Sequence, residues 1–387
     1  MIQITDPRMC CGCSACVNAC NQHAITMKPD ALGFLYPIVD VGKCVECGLC
    51  EKVCAFNANY DKSANLSTVK TFAVRLKDMN EVMKSQSGGA FVVFSDYVLS
   101  QGGVIYGAHF ANNGFREVVH GRALTPEERD GFRGSKYIQS NLNYIFSAVK
   151  KDLIEGRLVL FSGTPCQTAG LNSYVGSKLR ERLILIDIVC HGVPAPAIWK
   201  DYLDSLETKY GKIEDACFRN KKAFGWKSHR ESFVFSDKRE YSSDSYTYLF
   251  YRHIMLRHSC SACPFTNVNA RPSDISIGDC WGAQEFNLFD NDDKGISLVI
   301  INTDKGIKLF DYISDLCNIM PIDVANFLQP NLQQPTIPHP KRMNFERDYA
   351  KKGFKYVLRK YGNQSLRYRI KSFIPKSLLD KIIRNIR

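Results

Sequence analysis

CCGCSACVNAC at residues 10–20 and CVECGLCEKVC at residues 44–54 repeat one spacing. Cys10, Cys13, Cys16 and Cys20 stand as C-x2-C-x2-C-x3-C, and so do Cys44, Cys47, Cys50 and Cys54. In two-cluster ferredoxins, three closely spaced thiolates hold one 4Fe–4S cubane and the fourth cysteine of each run crosses to the other. The expected ligand sets are therefore Cys10, Cys13, Cys16 and Cys54 for one cluster, and Cys44, Cys47, Cys50 and Cys20 for the second. A structural zinc site has no use for the third cysteine of each run. A disulfide framework suits a short secreted chain, not 387 residues with no signal-peptide pattern. The spacing points to electron transfer. Asn21 and Ala55 stand where a proline often follows the last cysteine, which alters the turn and not the ligands. Cys11 reads as a bystander thiol.

Composition narrows the class further. Hydrophobic residues make up 45% of the chain, enough for ordinary cores in two or three domains. No apolar run approaches the roughly 18 residues that span a bilayer. Thiolate-held clusters without an export signal point to a reducing cytoplasm. The net charge of +12 is concentrated at one end. Residues 351–387 carry twelve Lys/Arg against the single acid Asp380, so the remainder is nearly neutral. That argues against a nucleic-acid groove over the main body, and no nucleic-acid partner is expected.

The expected fold is an α/β (α+β) body behind a small ferredoxin-like domain, with a basic helical tail. Residues 1–60 form the cluster domain, too small to hold a core without its cofactors. The polar stretch Asn57–Lys70 reads as a linker. Residues 70–150 and 151–320 divide the body, and 345–387 form the tail. Strands are expected at Arg157–Phe161, Leu183–Val189 and Ser297–Ile301. Helical periodicity covers Gly89–Leu99, Leu142–Ile154 and Ala197–Leu206. No G-x-G-x-x-G or phosphate-loop motif supports a Rossmann nucleotide site.

A second group of cysteines stands out by context. Cys166 and Cys190 each follow a strand, and Cys260 and Cys263 form a C-x2-C pair before Pro264. Spacing leaves three readings open: a third 4Fe–4S cluster, a tetrahedral zinc site, or small buried residues. Cys217, Cys280 and Cys317 have no such companions and read as structural.

Five segments carry a specific resemblance: Ser85-Gln-Ser-Gly-Gly-Ala, Gly134-Ser-Lys-Tyr-Ile-Gln-Ser, Phe161-Ser-Gly-Thr-Pro-Cys-Gln, Cys190-His-Gly-Val-Pro and Asp274-Ile-Ser-Ile-Gly-Asp-Cys-Trp-Gly. Over roughly residues 1–310 the chain resembles the beta subunits of coenzyme F420 hydrogenase/dehydrogenase fused behind a dicluster ferredoxin domain. The plant 7-hydroxymethyl chlorophyll a reductases are similar over the same body. The resemblance implies a flavoprotein with FAD whose ring lies beside a 4Fe–4S cluster. It also implies that Cys166, Cys190, Cys260 and Cys263 hold that third cluster. Gly88, Gly89, Ser135, Lys136, Tyr137, Gly163 and Thr164 are then expected near flavin or substrate. Cys280 departs from the aromatic residue usual before Trp-Gly.

A flavin joins one-electron clusters to two-electron chemistry. Lys136 could stabilise negative charge on a reduced ring or a diphosphate, or be a solvated lysine. His191 could donate a proton or merely hydrogen-bond a cysteine sulfur. Asp274 and Asp279 flank a strand, where either could be a structural cap. The expected partner is a ferredoxin-type donor or acceptor, with a small-molecule or lipid-linked substrate. An electron-transfer subunit with no substrate of its own is the alternative. After Pro375, the residues Leu378, Leu379, Ile382, Ile383 and Ile386 recur at helical spacing among basic residues. Such a helix could lie on an anionic membrane surface, making the protein peripheral on the inner face, or could pack on the body.

Overall fold

A computed structural model describes residues 1–56, 65–286, 289–290 and 292–364. The amino-terminal part carries the hairpin β1 (Ile25–Pro29) and β2 (Leu35–Val39), flanked by the short helices Ala15–Ala19 and Leu49–Lys52. Each helix sits within one cysteine run. Behind them lies a nine-stranded mixed sheet built from β3 (Asn65–Leu76), β4 (Val104–Phe110), β5 (Val118–Ala123), β6 (Ser140–Asn141), β7 (Val159–Gly163), β8 (Leu183–Ile188), then, further along the chain, three more strands. Between β8 and those three come β9 (Ile213–Cys217), β10 (Glu231–Phe235) and β11 (Glu240–Ser243), which form a separate antiparallel sheet. The large sheet is completed by β12 (Ile275–Asp279), β13 (Ser297–Thr303) and β14 (Cys317–Pro321). Its order is β14-β3-β13-β12-β8-β7-β4-β5-β6.

Four adjacent strands at the centre, β12, β8, β7 and β4, run parallel. Their near-continuous apolar sequence follows from burial on both faces. Val159, Phe161, Leu183 and Leu185 point to one face, against Phe146, Val149 and Leu171. Their alternates Leu160, Ile184 and Ile186 point to the other, against Val93, Phe94 and Leu309. The period of two thus divides each strand between two helical layers. A third core surrounds Trp199, Tyr202 and Tyr246 and joins the smaller sheet to the helix Pro196–Tyr210.

The strands and helices read from sequence fall within a few residues of those observed: β7, β8 and β13, with helices Ala90–Ser100, Ile145–Ile154 and Pro196–Tyr210. The expected linker needs correction. Its first part, residues 57–64, lies outside the described residues. Asn65–Lys70 is instead the opening half of β3, and its exposed positions are polar because that half is only partly covered. Of the basic tail, the helical stretch Arg342–Tyr361, kinked at Gly353, packs Phe345, Phe354, Val357 and Tyr361 into the third core. The amphipathic stretch after Pro375 lies outside the described residues. No helix among the described residues is long and apolar enough to cross a membrane.

Candidate redox site

The structure brings Cys54 beside Cys10, Cys13 and Cys16, and Cys20 beside Cys44, Cys47 and Cys50. The Cys16 thiol is pushed up by burial and by the neighbouring Cys13, Cys10 and Cys54 sulfurs, so the fourth residue of the second run has joined the first set. Cys20, Cys44, Cys47 and Cys50 line a common cavity of about 160 Å³ with Ile25, Val39 and Leu49. Backbone N–H groups already point at sulfur: Ile2 donates to Cys50 at 3.4 Å and Ala24 to Cys20 at 3.3 Å. Among the described residues, no three Cys, His, Asp or Glu side chains converge tightly enough for a single ion. A thiol set spaced round a void fits a cubane, and the donors present are all sulfur. Cys47 is exposed, whereas Cys13 and Cys16 are buried. Cys47 gives the second group an edge at solvent, although its Cys50 is as buried as Cys13 and Cys16.

The first group is pressed against the body. A Cβ added at Gly170, in the helix Pro165–Val175, would lie 2.7 Å from the Cys13 sulfur. Asn18 reaches across to the Asn143 carbonyl at 3.0 Å and accepts from the Ser147 N–H at 3.0 Å. Cys11 is more than a bystander. Its thiol lies beside those of Cys13 and Cys166 and holds both down, Cys166 to about 7.

The later cysteines form a third group. Cys166 opens the helix that follows β7, whose start is fixed by Pro165 and by a reciprocal Thr164–Gln167 capping box. Cys190 follows β8, and Cys260 and Cys263 lie on the loop at 258–263. The Cys190 thiol is raised by burial and by Cys260, Cys166 and Cys263, so the four sulfurs are mutual neighbours. Burial likewise pushes Cys260 up to about 11 and Cys263 up to about 12. Buried thiols left protonated are poor ligands, but coordination to a metal deprotonates them. Val193 donates to the Cys260 sulfur at 3.4 Å, and the Thr164 hydroxyl lies 3.2 Å from Cys166.

Cys190 is also part of the wall of the main cavity, about 400 Å³, at the carboxyl ends of the parallel strands. Gly89, Ser135, Lys136, Tyr137, Gly163, Thr164 and His191 all line it. Gly88 does not. Its N–H donates to the Ser297 hydroxyl at 2.9 Å, and a Cβ there would meet the Val74 carbonyl at 2.3 Å, so this glycine serves sheet packing. The Lys136 ammonium is committed to its own loop, donating to the carbonyls of Arg133 at 2.7 Å, Gly131 at 3.0 Å and Gly134 at 3.4 Å. Burial lowers it to about 7. His191 contacts His253, Nε2 to Nε2, at 2.6 Å, and His253 Nδ1 lies 2.9 Å from the Ile337 carbonyl. With the His253 proton placed on Nδ1 by that carbonyl, His191 donates and His253 accepts. Burial, then the charges of His253 and His229, hold His191 down to about 4.

Sequence reasoning missed the opposite wall. The Tyr251 hydroxyl lies 2.7 Å from His229 Nδ1 and 3.3 Å from the Tyr137 hydroxyl, giving a chain of three exchangeable groups. Asp279 accepts from Arg219 at 2.6 Å and from the Trp226 indole at 2.7 Å, behind Trp281. Asp274 is structural, taking the Leu185 N–H and Arg180, each at 2.9 Å. His120, beside the cavity, keeps its Nδ1 buried without a partner, a polar atom that a bound group could satisfy. Apolar walls with glycine backbone and a few convergent polar groups fit a planar conjugated cofactor.

The thiols are thus grouped three times, and the third group adjoins a cavity at strand ends. Residues 9–58 match the 4Fe-4S dicluster domain, and residues 156–323 match the family described as the C terminus of the Coenzyme F420 hydrogenase/dehydrogenase beta subunit. The chain is thus similar to that beta-subunit family over residues 156–323 and carries a dicluster domain at its amino-terminal side. A solved structure from the F420-reducing NiFe hydrogenase complex of Methanosarcina barkeri is similar at 16% identity and TM-score 0.45, covering 78% of this chain and 92% of that one. Comparison with curated proteins gave no match.

Proposed function

We propose that this protein is a flavin-dependent iron–sulfur oxidoreductase that passes electrons between a ferredoxin-type partner and an organic substrate. The observation that carries the reading is Cys190, which belongs both to the third cysteine group and to the cavity wall. Electrons enter or leave at the Cys20, Cys44, Cys47 and Cys50 set, where Cys47 is exposed, cross the Cys10, Cys13, Cys16 and Cys54 set, and reach Cys166, Cys190, Cys260 and Cys263. A bound FAD would supply the exchange between single electrons and a hydride. Gly89, Ser135, Tyr137, Gly163 and Thr164 would hold it, and Lys136 would fix the loop that carries Ser135 and Tyr137. His191 stays neutral at ordinary pH, so it accepts or relays a proton toward His253 more readily than it donates as a cation. Tyr137, Tyr251 and His229 offer a second proton route on the opposite wall.

The test is iron, acid-labile sulfide and flavin content of anaerobically purified protein. About twelve irons with one flavin is the expected result; about eight irons without flavin would remove both third cluster and flavin site. A second reading is an electron-transfer subunit without its own substrate. Exposed Val41, Val45 and Leu49 beside the second cysteine group favour it, as a face suited to a partner. Copurification of a catalytic partner protein would favour that reading. The segment beyond residue 364 is proposed to hold the protein on an anionic inner-membrane face, near a lipid-linked substrate. Equal flotation with anionic vesicles after truncation at that point would refute this.

A further inference from the structure

Arg257 precedes the Cys260–Cys263 pair in sequence, yet its side chain reaches the first cysteine run. Its Nε donates to the Cys10 carbonyl at 2.8 Å, Nη1 to Gln139 Oε1 at 2.9 Å and Nη2 to the Leu35 carbonyl at 2.9 Å. Nη2 also lies 3.6 Å from the Cys10 sulfur. The guanidinium carbon sits 4.2 Å from the Tyr36 ring centroid, and the residue is 1% exposed. Gly12 leaves the room this needs: a Cβ there would fall 2.5 Å from Gln139 Nε2 and 3.0 Å from Arg257 Nη1.

Every oxygen that receives an Arg257 proton is uncharged. That sets it apart among the buried arginines of the described residues. Arg75 pairs with Asp292, Arg129 with Asp96 and Asp130, Arg219 with Asp279, Arg271 with Asp187 and Arg342 with Glu346. A guanidinium cannot shed its proton, and a buried charge without a counter-charge is strongly destabilising. Around Arg257 the anions available are sulfurs. The Cys10 sulfur of the first group lies 3.6 Å from Nη2, and the Arg257 carbonyl takes the N–H of Cys260 of the third group at 3.1 Å, so the residue adjoins both.

We propose that Arg257 is the internal counter-cation of the first and third clusters, making both easier to reduce than the cluster of Cys20, Cys44, Cys47 and Cys50. The inference rests on the cluster reading of these cysteines. A fixed positive charge stabilises the more negative, reduced state of a nearby cluster, so its removal lowers the reduction potential. Electrons arriving at the surface would then run inward toward the cavity.

EPR-monitored potentiometric titration of anaerobic holoprotein tests this, with iron content measured on the same samples. Arg257→Gln removes the charge. Gln139→Glu sets a carboxylate against Nη1 and neutralises the cation without removing it, so it decides the matter even where Arg257→Gln sheds iron. Arg257→Lys keeps a charge but loses the fork. Reduction of at least one cluster should become about tenfold harder or more in the first two variants, ~59 mV for one electron. Arg257→Lys should stay nearer the wild type, and one cluster should not move in any variant. Gln139→Glu at full iron content with all midpoints unchanged would overturn the inference. So would Arg257→Lys shifting as far as Arg257→Gln, because the fork and not the charge would then be responsible. Wild-type protein without iron would instead overturn the cluster reading itself.

Discussion

Replacing Glu231 by Gln should stabilise this protein at neutral and alkaline pH. Glu231 is fully buried beneath the third core. Its carboxylate accepts from the Tyr246 N–H at 2.9 Å, the Thr247 hydroxyl at 2.7 Å and the Tyr202 hydroxyl at 3.2 Å. Burial outweighs these three donors and pushes the carboxyl from its ordinary 4.5 up to about 7. An acid raised on folding contributes stability that is complete below its unfolded value and is lost as pH rises through the folded one. The loss accrues between about 4.5 and about 7, and at ~1.4 kcal/mol per pH unit it totals about 3 kcal/mol. Glutamine keeps an oxygen for Tyr246 and Tyr202, and the Thr247 hydroxyl can turn to the Asp244 carbonyl 3.2 Å away. Anaerobic urea unfolding of both proteins, from about pH 5 to about pH 8, reads the difference. The gap should be small at the acid end and grow toward about 3 kcal/mol in favour of Gln. A variant less stable at pH 8, or a gap independent of pH, would refute the reasoning. The site matters to function because Tyr246 donates to the Tyr137 carbonyl at 2.7 Å, fixing a cavity residue.

Three further outcomes are expected. Asp152→Ala strips the buried acceptor of Tyr106 at 2.6 Å and Arg122 at 2.8 Å, and should cost about 3–5 kcal/mol of unfolding free energy by chemical denaturation; a loss under about 1 kcal/mol would show the network to be idle. Gly163→Val drives side-chain atoms into Gln167 Oε1, 2.9 Å from the first added carbon, and into the cavity floor, so it should abolish flavin retention while leaving the iron of the dicluster domain; flavin retained at the wild-type ratio contradicts the proposed placement. The His191 ring should remain neutral on acidification until about pH 4, which ring carbon shifts by NMR would check in metal-free or diamagnetic protein; titration near 6.5 would mean that the cavity wall is wetter than its packing implies.

Cysteine spacing was legible because a cubane imposes its geometry on local sequence, and the runs 10–20 and 44–54 carry that geometry within eleven residues each. The central strands were legible for a similar reason, since burial on both faces leaves an unbroken apolar run at Leu183–Ile188. Asn65–Lys70 was not, because a strand only partly covered on either face there has the composition of a linker. Arg257, Gln139, Tyr251 and His229 carry no local signature. Arg257 meets Cys10 across 247 positions, and only the folded chain makes that contact visible. The signal available was indirect: an arginine three residues before a ligand-type C-x2-C pair. Cys11 was visible as an extra thiol, but its place between Cys13 and Cys166 follows from how the first run docks on the helix Pro165–Val175.

The central claim is that electrons pass from the cysteine clusters to a flavin through the Cys190 corner of the cavity. Rapid mixing of chemically reduced ferredoxin with anaerobic protein, followed by flavin absorbance, tests it in wild type and Cys190→Ala. The account predicts flavin bleaching in the wild type and its loss, with flavin still bound, in the variant. Bleaching at the same rate in both proteins would contradict it.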